Sequence, residues 1–321
     1  MKILVIGGAG FLGANLVRRC LNESAAEITV LDSLDPHLYA TTKNLLAVWD
    51  KISFIRGDLR DETLLASIVQ GQDIIFNCAA QTSHPLSIQY PLLDAEINCL
   101  GNIKLLEALR LLNKDAVVVY TSSSTVIGKA LHEVVDEDHG ERPLEIYSAN
   151  KGVAEKYYRI YHTVHDLNTI VLRFANLYGP YGKGYPEFGF INYFIHLAWQ
   201  NQEIRIFGTG QQMRNVMFVG DAADILWQVA REKRLAGETY FATGSEHLSV
   251  AEIAAKIVSV FGRGRVTHIE WPEGRRRIEV EDVKFSSARL RAATGWQPGY
   301  DFDAGLQAIK ALLEQSERDK I

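Results

Sequence analysis

The apolar run Ile3-Leu4-Val5-Ile6 passes directly into Gly7-Gly8-Ala9-Gly10-Phe11-Leu12-Gly13, and few folds admit that junction. It reads as a strand, a tight turn and the start of a helix over Phe11 to Leu21. Gly7, Gly10 and Gly13 lack side chains where the turn is tight, where backbone must approach a pyrophosphate and where helix meets strand. The helix amino terminus, with Phe11 and Leu12 in its first turn, then faces the phosphates. Asp32 closes the next apolar run, Ile28 to Leu31, about twenty residues on. A carboxylate there accepts hydrogen bonds from an adenosine ribose and repels a 2′-phosphate, which predicts NAD rather than NADP. The alternative is that Asp32 only begins the turn holding Asp35 and Pro36.

The alternation continues down the chain. β-Prone runs at Ile3 to Ile6, Ile28 to Leu31, Ile52 to Ile55, Ile74 to Phe76, Val117 to Tyr120 and Ile170 to Phe174 are separated by helical stretches. Those stretches include Phe11 to Leu21, Glu62 to Val69, Ala95 to Leu111 and Ala149 to His165. Strands alternating with helices predict an α/β fold with a doubly wound, Rossmann-like parallel sheet covered on both faces, with ligands at the carboxyl ends of the strands. Gly57-Asp58-Leu59 after the third strand and Asn77-Cys78-Ala79-Ala80-Gln81 after the fourth can complete the cofactor pocket. Turn formers crowd Asn176 to Pro186 and mark a lobe boundary. This gives a dinucleotide-binding domain over 1–175, rejoined by about 215–232 through a strand at Val216 to Val219 and a helix at Ala222 to Arg231. Residues 176–214 and 233–321 form a smaller C-terminal substrate-binding α/β lobe, ending in an amphipathic helix with Leu306, Ile309, Leu312 and Leu313.

Bulk properties narrow the partners. A formal charge of -5 on 321 residues gives no electrostatic reason to expect nucleic acid. Cys20, Cys78 and Cys99 are odd in number, far apart and set in apolar surroundings, which predicts free thiols in a reducing compartment. The first strand begins at Lys2, and no uncharged apolar stretch has the length of a membrane span, so the expectation is a cytoplasmic protein with no membrane role. His84, His132, His139 and His165 lack metal-ligand spacing; they read as surface or helix-end residues, and no metal is expected.

Tyr147 and Lys151, in Tyr147-Ser148-Ala149-Asn150-Lys151, put a phenol and an ammonium on one helical face. The cation is expected to favour the phenolate and make Tyr147 a proton acceptor near neutral pH. Tyr39 and Lys43 share the spacing, but they lie beside Asp35, Pro36 and His37 in a loop, whereas Tyr147 opens a long periodic stretch. Only the second pair is given a chemical role. Tyr157, Tyr158 and Tyr161 further along are expected to pack a core or a dimer surface.

Together these residues resemble the extended short-chain dehydrogenase/reductase family, in its NAD-dependent nucleotide-sugar epimerase and dehydratase branch. The similarity spans nearly the whole chain. It takes in the phosphate loop at 7 to 13, Asp58-Leu59, Asn98 in Ile97-Asn98-Cys99-Leu100-Gly101-Asn102, and Ser122-Ser123-Ser124-Thr125-Val126-Ile127-Gly128. It continues through the Tyr147 and Lys151 pair, Leu172-Arg173-Phe174-Ala175-Asn176, Gly179-Pro180, and Arg289 through Gly295-Trp296-Gln297-Pro298. The resemblance implies Ser123, Tyr147 and Lys151 as the catalytic set, with Ser124 an alternative to Ser123. It implies Asp58, Leu59, Ala79, Ala80, Gln81 and Asn98 in the cofactor site beside the glycine loop and Asp32. On the substrate side it implies Ser123, Thr125 and Asn176, with Arg214 and one of Arg275, Arg276 and Arg277 on a diphosphate; Arg275 is put forward.

Members of the branch differ just after the hydroxyl. The 4,6-dehydratases carry an acid pair there and the decarboxylases a glutamate two places on, whereas this chain has Ser124 and Thr125, which are not carboxylic acids. Ser-x-Thr at 123 to 125 is similar to the 4-epimerases of UDP-hexoses. The implied activity is NAD-dependent epimerisation at C4 through a 4-keto sugar, by a homodimer paired through the helices at Ala95 to Leu111 and Ala149 to His165. The alternatives are 4,6-dehydration or UDP-glucuronate decarboxylation and, in a different class, a non-catalytic NAD-sensing protein. Two departures stand out: Ile127 where tyrosine is common, and Asn215 where aspartate follows Arg214. Gln81-Thr82-Ser83-His84 also departs from the best known 4-epimerases, which leaves sugar and nucleotide open.

Overall fold

The computed structural model describes residues 1–23, 26–273 and 282–318. The first half runs β1 (Lys2–Ile6), α1 (Phe11–Leu21), β2 (Glu27–Asp32), β3 (Ile52–Arg56), α2 (Glu62–Ile68), β4 (Ile74–Asn77), α3 (His84–Gln89), α4 (Pro91–Ala95), α5 (Gly101–Leu112) and β5 (Val117–Ser123). It continues through β6 (Val134–Val135), α6 (Ile146–His165), β7 (Asn168–Phe174) and β8 (Asn176–Tyr178). The second half comprises α7 (Phe190–Trp199), β9 (Glu203–Phe207), β10 (Met213–Phe218), α8 (Val219–Ala230), β11 (Thr239–Ala242), β12 (Glu246–Ser249) and α9 (Val250–Phe261). It ends with β13 (Arg265–Ile269), β14 (Lys284–Phe285), α10 (Ala288–Thr294) and α11 (Phe302–Arg318).

Seven strands form one sheet in the order β11-β7-β5-β4-β1-β2-β3, every pair parallel. Parallel strands covered by helices on both sides must be apolar on both faces, and Ile3, Leu4, Val5, Ile75, Phe76 and Val119 are fully buried. One face packs Leu16 and Val17 of α1 with Ile225, Leu226 and Trp227 of α8. The other packs Leu65 of α2, Leu105, Leu106 and Leu109 of α5, and Ala154 and Tyr158 of α6. The strand order reverses between β1 and β4, so the crevice for a ligand opens there, above the carboxyl ends.

The return to this sheet differs from the sequence expectation. β10 does not join it; it pairs with β8 and β12 in a separate three-stranded sheet. The chain comes back through α8 and then β11, a short strand followed by Thr243 and Gly244 that carried too little pattern to stand out. A third core lies between α7, α9 and α11, where Phe194, Ile195, Ile253, Ile257, Leu306 and Ile309 meet.

Both sequence departures have structural accounts. Ile127 is fully buried with Val126, Val135, Phe241 and Val283 in an apolar cluster just after β5. Asn215 donates through Nδ2 to the carbonyls of Gly244 at 3.1 Å and Glu246 at 2.9 Å and accepts from Gly244 N at 3.0 Å. An aspartate there would have no donor for those two carbonyls. Cys20, Cys78 and Cys99 are free thiols. Among the described residues no helix is long and apolar enough to cross a membrane.

Candidate active site

The glycine turn forms one wall of a cavity of ≈ 320 Å³ that runs from β1 across the reversal point to β5, α6 and β8. Gly7 has φ +75°, and a Cβ on it would lie 2.6 Å from Ala79 N; a Cβ on Gly13 would lie 2.2 Å from Gly7 O. Only glycine lets β1, α1 and the β4–α3 loop approach this closely. Gly10 caps α1 without a side chain, and no acidic residue sits in its first turn, so an electropositive helix end borders the cavity. Asp32 Oδ2 accepts from Ala9 N at 3.0 Å and Oδ1 from Leu34 N at 3.0 Å. Burial pushes its carboxyl up, and those two amides and Lys183 pull it back. Asp58 and Leu59 also line the wall; Arg60 grips Asp58 through Nε at 2.9 Å and Nη2 at 2.8 Å and holds that carboxyl below its usual range.

Gln81 and Asn98 do not line the cavity, although they were expected in the cofactor site. The helix from Pro91 to Leu112 is interrupted by a π turn at Glu96–Leu100, and Asn98 projects from it. Its Oδ1 accepts from Gln81 N at 3.1 Å and its Nδ2 donates to Gln81 O at 2.8 Å. That two-point clasp fixes the loop on which Ala79 and Ala80 face the space. Asn77 adds a second tie, donating to Asn102 Oδ1 at 2.8 Å and to Tyr158 Oη at 3.0 Å. Tyr158 is thus core; Tyr157 and Tyr161 are only partly buried against it.

At the other end of the cavity β5 finishes in Ser123, and α6 brings Tyr147 and Lys151 alongside. Tyr147 is 8% exposed. Burial pushes its phenol well above the ordinary value; Glu145 and Asp94 add to the rise, and a hydrogen bond with Ser123 opposes it. Lys151 Nζ donates to Thr121 O at 2.6 Å and lies 4.2 Å from the centroid of the Tyr120 ring. Burial lowers its ammonium to about 8, and Glu155 is the largest influence holding it up. Ser124, Thr125 and Asn176 also line the cavity. Arg214 does not; its Nη1 donates to Met213 O at 2.6 Å. Arg275, Arg276 and Arg277 lie outside the described residues.

The model of the NAD dependent epimerase/dehydratase family matches residues 3–242. This chain belongs to that family. Its cofactor is NAD. A putative UDP-glucose 4-epimerase of Methanocaldococcus jannaschii is 31% identical over 98% of this chain and 99% of its own length. A dTDP-glucose 4,6-dehydratase of Streptomyces niveus is also 31% identical, over 95% of this chain and 90% of its own. The solved UDP-glucose 4-epimerase of Thermus thermophilus, in complex with NAD, superposes with a TM-score of 0.86 at 26% identity, covering 98% and 99% of the two chains.

Sequence reasoning missed two residues of this family member's cavity. His84, set aside as a surface or helix-end residue, faces the space, with its ring centroid 4.9 Å from that of Tyr147 and Nδ1 on Glu145 Oε1. Lys183 lines the far side, donates to Leu38 O and is lowered to about 8 by burial. Neither has a local spacing to announce it, because its partners are far away in the chain.

Proposed function

We propose that this chain epimerises a nucleotide sugar with NAD, at C4 of a UDP-hexose. The observation that carries the reading is Tyr147 beside Ser123, itself 2.8 Å from Thr125, in the cavity that also holds the glycine cradle, with hydroxyls at the positions where elimination needs acids. Relatives of equal identity include a 4-epimerase and a 4,6-dehydratase, so resemblance alone does not choose between them. The side chains at 124 and 125 favour the epimerase.

The cradle fits a dinucleotide. Gly7, Gly10, Phe11, Leu12 and Gly13 would hold its pyrophosphate, Asp32 its adenosine ribose, Asp58 and Leu59 its adenine, with Ala79 and Ala80 along the wall and Gln81 and Asn98 fixing that wall. When bound, NAD supplies reversible two-electron oxidation of the sugar carbon. Tyr147 takes the proton from the sugar 4-hydroxyl and returns it once the ring has turned over. Ser123 hydrogen-bonds the same oxygen, and its contact with the phenol supports it over Ser124. Lys151 supplies a fixed cation behind the tyrosine, Thr125 and Asn176 orient the sugar, and Arg214 with Arg275 or a neighbour meets the diphosphate. The same reading makes the protein a cytoplasmic homodimer paired through the π turn, α5 and α6, whose Leu100, Leu111, Ile160 and Val164 are exposed.

The test is incubation of the NAD-loaded chain with UDP-glucose, UDP-N-acetylglucosamine, UDP-glucuronate and dTDP-glucose, with isomers resolved and product mass recorded. Conversion at constant mass supports epimerisation, whereas loss of water or carbon dioxide overturns it. Tyr147→Phe is expected to bind NAD normally and to lose about 10²- to 10⁴-fold in conversion rate. Undiminished conversion would remove Tyr147 from the chemistry.

A further inference from the structure

Lys151 and Lys183 are the two lysines that line the cavity, and no arginine among the described residues lines it. Lys151 is committed to Thr121 O and the Tyr120 ring behind Tyr147. Lys183 donates through Nζ to Leu38 O and lies 4.1 Å from the centroid of the Phe188 ring. Neither of those partners is charged, and among the described residues no ion pair holds the Lys183 ammonium. Burial lowers it to about 8 while the charge of Asp32 opposes the fall, so it is still a cation at neutral pH. A partly buried cation that faces a cavity without an opposite charge is suited to an anion in that cavity.

The position of Lys183 says which anion. The turn-rich strap after β8 is fixed to α1, because Asn15 Nδ2 donates both to Phe11 O at 2.8 Å and to Pro180 O at 2.9 Å. One amide thus joins the strap to the first turn of the helix whose amino end borders the cavity. From there Lys183 reaches across to the loop that leaves β2, where Leu38 lines the same space as Asp32. Ser123 ends β5 with Tyr147 beside it, and the order β5-β4-β1-β2 puts three strand spacings, roughly 14 Å, between the ends of β2 and β5. The ammonium therefore lies on the side of α1 and β2, away from the chemistry at Tyr147. A dinucleotide brings two phosphate charges to that side, next to the Asp32 carboxylate, and a helix end answers them with only about half a positive charge. A further cation is called for.

Resting on the reading that the α1 end meets the pyrophosphate and Asp32 the adenosine ribose, we propose that Lys183 is the counter-ion of the dinucleotide's pyrophosphate. It is supplied by the strap to a site otherwise built from the β1 to β4 half of the chain. The Leu38 carbonyl keeps the ammonium at the edge of the space, and the Phe188 ring covers one side of it, which strengthens its attraction for a phosphate. Lys183 is a binding residue and takes no part in moving the proton or the hydride.

The test compares three ligands of the full chain by calorimetry. These are NAD, ADP-ribose, which keeps the pyrophosphate and lacks the nicotinamide, and adenosine, which has no phosphate. Lys183→Met keeps the length of the side chain and removes its charge. It should weaken NAD and ADP-ribose about tenfold to a hundredfold, the weight of a charged hydrogen bond, and leave adenosine as in the parent. NAD should also leave the variant faster, since such losses fall mainly on dissociation. Lys183→Arg keeps the cation and should recover most of the affinity. Equal weakening of all three ligands would mean that Lys183 only packs the strap, and the inference fails. It fails equally if the variant binds NAD and ADP-ribose as the parent does, including the case where UDP-glucose or UDP-glucuronate binding to the NAD-loaded variant falls instead, because the anion is then the sugar nucleotide's. Either failure leaves the epimerase reading standing, since product mass and Tyr147→Phe decide that separately. A parent chain that binds no NAD would overturn both.

Discussion

Glu155→Gln should lower the melting temperature by about 4–5 K, and the figure follows from one buried pair. Glu155 and Arg173 are 4% and 5% exposed; Arg173 Nε lies 3.0 Å from both carboxylate oxygens and Nη2 2.6 Å from Oε2, while Ser122 donates to the same carboxylate. Removing one partner of a buried pair costs about 3–5 kcal/mol because the other charge is stranded. Glu141 stays 3.1 Å from Arg173 Nη2 and keeps part of the compensation, which puts the cost at the low end, about 3 kcal/mol. At about 2.1 cal/mol/K per residue, unfolding a chain of 321 residues carries roughly 0.7 kcal/mol/K. The substitution also reaches the active site. Glu155 is the largest influence keeping Lys151 protonated against burial, so without it the ammonium falls below about 8 and is lost at a lower pH as alkali is added. Thermal unfolding followed by circular dichroism, with a pH–rate profile of sugar conversion, checks both effects. A melting point within about 1 K of the parent, or an alkaline limb that does not move down, would refute the reasoning.

Gly13→Ala places a Cβ 2.2 Å from Gly7 O and 2.7 Å from Gly8 Cα, both backbone atoms, so the turn must shift. The strain is about 1–3 kcal/mol, and NAD affinity measured by calorimetry should fall about tenfold or more; an unchanged Kd would count against the cradle. If the chain pairs as proposed, Leu100→Glu with Ile160→Glu puts charge into the exposed apolar face of the π turn and α6, and sedimentation should show a dimeric parent and a monomeric variant. A parent chain that sediments as a monomer would dispose of that pairing.

What the sequence disclosed was whatever is written in local pattern. The glycine turn, Asp32 and the alternation of apolar runs specify the sheet because a parallel strand buried on both faces needs an unbroken apolar stretch, and Ile3 to Ile6 or Val117 to Tyr120 can hardly be anything else. Tyr147 and Lys151 were legible because helical geometry alone sets them on one face. Their electrical environment was not legible. Whether Lys151 reaches the phenol depends on Thr121 O and the Tyr120 ring, which arrive from β5. His84 and Glu145 stand 61 residues apart, and only the packing of α3 against α6 joins them. β11 was missed for a related reason: four residues at a sheet edge carry little periodicity, and their register is set by β7.

The turn-rich segment after β8 shows how composition can be right about local geometry and silent about its use. Gly179 with φ +151°, Tyr181 with φ +66° and Gly189 with φ +120° confirm a chain that bends repeatedly. Those bends do more than separate two lobes. Pro180 O accepts from Asn15 Nδ2 of α1 at 2.9 Å, and the Tyr181 ring lies 4.1 Å beneath the Arg18 guanidinium of the same helix. Further along, Tyr185 stacks on Tyr39 at 4.3 Å between centroids, Phe188 meets Tyr39 edge-on at 5.7 Å, and Lys183 reaches the Leu38 carbonyl while lying 4.1 Å from the Phe188 ring. Tyr39, whose spacing to Lys43 copied that of Tyr147 to Lys151, thus anchors this strap against the loop after β2. Lys183 and Phe188 line the cavity that Asp32 also borders, so the strap forms part of its wall. A segment that reads as a boundary is therefore packed against α1 and the loop after β2 and walls the cavity.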